Sequence, residues 1–185
     1  MISVNLRPRF EAGLPFAEYL AAATENAELW HAMYARAKVS DEAVARAVAL
    51  EGAWRLLVLN EYWCGDAVNT LPVLARLTER APNLSLRVLG RDANPDLMDA
   101  HLTRGTARSI PVVMILDADY DERAWWGSRP RVLEAWVMSP EAQAMTKPDR
   151  YKEVRRWYAR DHGETTVNEI LTLIEQARVT AASRQ

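Results

Sequence analysis

The chain has 185 residues, enough for one domain with a substantial core and short of two ordinary ones. An apolar fraction of 49% and a charged fraction of 26% are those of a globular domain, and a formal net charge of -2 supplies no excess to draw nucleic acid or a membrane. No apolar run approaches the roughly 18 residues that span a bilayer.

The segment from Met1 to Phe10 is interrupted by Asn5, Arg7, Pro8 and Arg9, so no secretory leader is expected. A single cysteine forms no internal disulfide, which favours the reducing cytoplasm. Residues 16–37 are rich in Ala, Glu, Leu and Met, and they follow Pro15; this predicts a helix. A second helix is expected to start after Ser40, with Asp41 and Glu42 in its first turn, and to stop near Gly52. Leu56 to Leu59 is a short continuous apolar run, which suits a strand covered on both faces. Ala67, Leu71, Leu74 and Leu77 then recur at helical spacing, with Pro72 among them.

Leu84, Leu86 and Val88 alternate with Ser85 and Arg87, which predicts a strand. The sequon Asn83-Leu84-Ser85 is a chance match in such a compartment. Asn94-Pro95-Asp96 starts a short helix and Gly105 is expected to end it. Val112 to Leu116 is a strand, Asp117 to Asp121 a turn, and Arg123 to Trp126 a hairpin partner. Trp125 and Trp126 read as packed aromatics of that strand. The remainder reads as helical: from Ser139-Pro140, over 149–158, and after Thr166, whose spacing to Glu169 is that of a capping box. The order implies a parallel pair joined by a helix, then an antiparallel pair, in an α/β sheet. Leu57, Leu59, Leu71, Leu74, Leu86, Val88, Val113 and Ile115 are the expected core.

Cys64 follows the first strand and precedes a helix. A sulfur there faces unpaired backbone N–H groups and the positive end of the helix dipole, which favours the nucleophilic thiolate. Asp66 opposes this, because a nearby negative charge disfavours a second one. The balance turns on whether the Asp66 carboxylate points into solvent. Gly65 admits a second chain close to the sulfur. His31, His101 and His162 lack ligand spacing, so no metal is expected. No phosphate-binding or dinucleotide-binding glycine motif is present, and no cofactor is implied.

Together, Trp63-Cys64-Gly65-Asp66-Ala67, Pro72, Asp92-Ala93-Asn94-Pro95 and Ser109-Ile110-Pro111 resemble the thioredoxin superfamily, in order and spacing, over about Trp54 to Trp126. The likeness is to a bacterial thioredoxin-like branch with WCGDA in place of WCGPC and with a C-terminal segment like residues 157–163. It implies a thioredoxin-like fold: a central mixed sheet, helices on both faces, and additional N- and C-terminal helices. It implies one domain over 1–185, with a core at about 53–127 and helical additions at 1–52 and 128–185. It further implies that Ile110–Pro111 is cis and faces Cys64, and that Trp63 shields the sulfur.

Three departures bear on function. Ala67 stands where the family has its second cysteine, Asp66 where it has proline, and Val58 where it keeps a buried acid. No internal thiol resolves a mixed disulfide, so the protein alone is not expected to sustain disulfide reduction. Two functions remain. Cys64 acts as a redox monothiol, partly exposed and with a lowered pKa, pairing with a low-molecular-weight thiol or a partner protein's cysteine. Alternatively, the groove lined by Trp63, Gly65, Asp66, Ala67, Ile110 and Pro111 is a non-catalytic binding site for an extended peptide.

Overall fold

A computed structural model describes residues 5–182; the first four residues of the N-terminal segment lie outside the described range. The elements follow in order: α1 (Arg7–Ala12), β1 (Leu14–Pro15), α2 (Phe16–Ala21), α3 (Ala27–Arg36), α4 (Asp41–Val48), β2 (Trp54–Asn60), α5 (Ala67–Arg80), β3 (Leu84–Gly90) and α6 (Pro95–Ala100). Then come β4 (Val112–Leu116), β5 (Glu122–Gly127), α7 (Arg131–Val137), α8 (Pro140–Ala144), α9 (Lys147–Asp161) and α10 (Glu164–Ala182).

The strands form one mixed sheet in the order β1-β3-β2-β4-β5. β2 and β3 run parallel in the register Leu56↔Leu86 and Val58↔Val88. β4 lies antiparallel to β2 and to β5. Leu56, Leu57, Val58 and Leu59 are all fully buried, so β2 is covered on both faces, as its unbroken apolar run requires. The eight expected core residues are all buried. Leu71, Leu74 and Leu77 put one face of α5 into this core, and α5 continues through the buried Pro72.

Several local readings change. Residues 16–37 form two helices: α2 ends at Ala21, and α3 restarts after Asn26, which takes a left-handed conformation (φ 55°) that a short amide side chain tolerates. Ser40 caps α4 by accepting from the Ala43 N–H, but α4 stops at Val48, well before Gly52. The Asn83 amide donates to the carbonyls of Ala47 (2.9 Å) and Leu50 (2.8 Å), satisfying orphan groups at that end. Asn94 precedes α6 without capping it; its side chain bonds Gly90 and Arg9 instead. α6 ends at Ala100 rather than at Gly105.

The capping box after Thr166 does not form, because α10 has already begun at Glu164. Asp161 accepts from the Thr165 N–H (3.2 Å) and takes the capping role. Glu169 is thereby free to accept from Trp126 Nε1 (2.6 Å) and from the Arg131 N–H (2.9 Å), joining α10 to β5 and α7. The stripe of Val167, Ile170, Leu171 and Ile174 is buried as its spacing requires. β1, an edge strand of only two residues on β3, carried no legible sequence signal.

Buried His101 ties α6 to β5. Its ring nitrogens face the Leu97 carbonyl (2.6 Å) and the Glu122 carboxylate (2.8 Å). Burial works to lower its pKa, but both acceptors favour the doubly protonated ring, and the net direction is upward.

Beyond the main core lies a second apolar cluster of Leu133, Val137, Val154 and Tyr158, built by α7 and α9. The turn between α9 and α10 holds His162 (φ 53°) and Gly163 (φ 83°) against α5. A Cβ on Gly163 would lie 2.6 Å from a Val73 methyl. Gly163→Ala therefore combines a left-handed backbone cost with overpacking, about 2–5 kcal/mol in all. Gly105→Ala, also at positive φ (72°) but in open space, is expected to lose only the backbone part. Urea unfolding of the two variants checks this; equal losses would mean that the Val73 contact carries no weight.

Candidate functional site

β2 delivers the chain to the site through Glu61, whose carbonyl accepts from the Cys64 N–H (3.1 Å). The N-terminal helices fix the approach. Tyr62 stacks on Tyr19 (ring centroids 4.4 Å apart) and donates its hydroxyl to the Tyr19 carbonyl. Trp30 Nε1 donates to the Tyr62 carbonyl (3.0 Å), and Asn60 in β2 donates to the Tyr19 hydroxyl (2.8 Å).

The Cys64 thiol lies at the head of α5 and donates to the Ile110 carbonyl at 3.3 Å. The site thus brings Cys64 to the loop before β4, where the Ile110–Pro111 bond is cis. Gly65 and Ala67 lie on the same turn, with Ala67 fully buried. Cys64 is 5% exposed, which corrects the expectation of a partly exposed sulfur. Its pKa is likewise corrected. Burial pushes it up to about 11, and the Asp66 carboxylate adds to the rise. The Ala67 and Asp66 N–H groups and the Arg129 guanidinium pull the other way without prevailing. The helix N-terminus acts in the expected direction, but desolvation of a buried anion exceeds it.

Trp63, expected to shield the sulfur, keeps 47% of its surface exposed and holds the Arg91 guanidinium 5.1 Å from its ring centroid.

Asp66 is not a solvated acid. It is 7% exposed, and its carboxylate receives a bidentate pair from Arg129, Nε to Oδ1 at 2.9 Å and Nη2 to Oδ2 at 2.7 Å. Tyr158 donates its hydroxyl to Oδ1 at 3.0 Å. Arg129 also pairs with Glu134 (3.1 Å), which binds Arg104 as well. Burial, then the charge of Asp66, holds the Tyr158 phenol well above its ordinary pKa, so it remains a donor. Arg129, Glu134 and Tyr158 were not singled out from the sequence as site residues. The one signal was indirect: an acid in a motif next to a buried strand needs a cation, and no local residue supplies one.

Among the described residues no His, Cys, Asp and Glu group has metal-ligand geometry, and no helix is long and apolar enough to cross a membrane. The family model described as Thioredoxin matches residues 13–152. A crystal structure of a protein of unknown function from Pseudomonas aeruginosa is similar at 22% identity, with a TM-score of 0.68 over 91% of this chain and 95% of that one. An HIV epitope-scaffold crystal structure is similar at 20% identity, with a TM-score of 0.71 over 94% and 99%. No curated protein matches.

The Asp66–Arg129 pair makes a specific energetic demand. Asp66→Ala or Arg129→Met alone leaves a buried charge short of its partner and is expected to cost about 3–5 kcal/mol. The double variant Asp66→Ala with Arg129→Met is expected to lose less than the sum of the two single losses, because no uncompensated charge of the pair remains. Urea unfolding of the full cycle measures this, and additive losses would contradict the pairing.

Proposed function

This chain belongs to the thioredoxin family, and from that premise we propose that it binds an extended polypeptide segment across the groove lined by Cys64 and Ile110 rather than cycling thiols. The observation that carries this reading is the state of Cys64: buried, donating to Ile110, with a pKa of about 11. At neutral pH its thiolate fraction is on the order of one in 10,000, too small for an efficient nucleophile.

Two features support a polypeptide as the ligand. The Ile110 N–H has no hydrogen-bond partner among the described residues, and Ile110 lines the groove. A strand laid alongside can satisfy such a donor. The groove's lining runs over α3, α4, α5, α9 and α10, an extent that an extended segment can follow.

One observation favours the monothiol reading as a second possibility. The Ala67 and Asp66 N–H groups and the Arg129 guanidinium all act to lower the Cys64 pKa. In that reading the Cys64 thiolate attacks an external disulfide, its S–S bond breaks, a new bond forms to Sγ, and the released thiolate takes a proton from water. Release of Cys64 then needs an outside thiol, low-molecular-weight or from a partner protein, because the chain holds no second cysteine.

The alkylation rate with iodoacetamide against pH separates the two. The expected profile for the native protein still rises beyond pH 9, toward a midpoint near 11. A midpoint below the free-cysteine value of about 8.5 would favour the monothiol.

A further inference from the structure

From the side chains that line the groove we infer that its occupant is an acidic polypeptide segment with interspersed apolar residues, an inference that rests on the polypeptide-binding reading above. The protein as a whole is slightly acidic, with a net charge of -2, yet basic side chains outnumber acidic ones along this groove. Several of those cations are neutralised in place: Arg46 by Glu175, Arg91 by Asp92, Arg108 by Asp99 and Arg129 by Asp66.

Four are not. Arg36 at the end of α3, Lys38 in the loop after it, and Lys147 and Arg155 on α9 are exposed, line the groove, and have no ion-pair partner among the described residues. They come from two regions far apart in sequence that both line the groove. The acids of the lining do not offset them. Asp66 is consumed by Arg129 and Asp41 is paired with Arg80, which leaves Glu42 and Glu164.

The same groove exposes large apolar side chains. Leu29 is 47% exposed, Trp63 47% and Tyr151 41%. Such side chains on a wall otherwise studded with cations match a segment that alternates carboxylates with apolar residues. An extended strand presents that pattern naturally, since its side chains alternate between faces. The cations steer the segment and set its sign; the apolar side chains and the Ile110 main chain hold it.

The test uses three short fluorescein-labelled peptides of one length, in which leucine alternates with glutamate, with serine or with lysine, titrated into the whole protein by fluorescence anisotropy. The glutamate peptide is expected to bind at least about tenfold tighter than the serine peptide at low salt, with the lysine peptide weakest. That advantage should shrink as salt is raised. Lys38→Glu with Arg155→Glu, at exposed positions outside the core, should remove the advantage of the glutamate peptide over the serine peptide. Equal binding of the glutamate and serine peptides would overturn the acidic preference and leave the groove reading standing. Binding of none of the three would overturn both. Single-stranded DNA of matched charge displacing the glutamate peptide at a lower concentration than unlabelled glutamate peptide would also overturn the preference.

Discussion

The site is organised around one buried carboxylate. Asp66 stands at the head of α5, and a buried charge there has to be compensated inside the protein. Compensation comes from Arg129 after β5 and Tyr158 in α9, sixty-three and ninety-two residues away in sequence. α7 and α9 share a small apolar cluster of their own, separate from the main core. The polar bonds to Asp66, with those of Arg104 to Glu134 and of Glu169 to the Arg131 N–H, link that cluster to the sheet domain. The fold of the C-terminal third and the chemistry of the motif are thus one problem with one solution.

The consequence for Cys64 runs against its position. A helix N-terminus offers N–H groups to a thiolate, and two of them act on this sulfur. But the Asp66 charge stays beside it, and the surrounding structure removes it from water. The Ile110 carbonyl then takes the thiol proton as a hydrogen bond. The neutral thiol is thus the favoured form of Cys64 in the folded protein.

The sheet was legible because its signals are local. The apolar run of β2, the alternation of β3 and the hairpin at Asp117 each follow from a few neighbouring residues. Thr166 misled because the capping-box spacing is also local, whereas the helix start was decided by the turn at His162–Gly163 and by Asp161. Residues 16–37 misled for a related reason: propensity favours helix throughout, yet the chain leaves the helix over residues 22–26, ending in a left-handed Asn26. Of the motif residues, Trp63, Cys64, Gly65, Asp66 and Ile110 line the groove, whereas Ala67 and Pro111 are buried and do not, and the motif could not place Arg129. A long-range ion pair leaves no periodicity, and only the cost of burying Asp66 hinted that a partner had to exist.

The central claim is that the folded protein holds Cys64 as a capped, buried thiol, and its most direct test is the reaction of this cysteine with the disulfide reagent DTNB at pH 7. The native protein is expected to react on the order of a hundredfold or more slowly than the same chain unfolded in urea, because folding both raises the thiol pKa and covers the sulfur. A native rate equal to or above the unfolded rate would contradict the account.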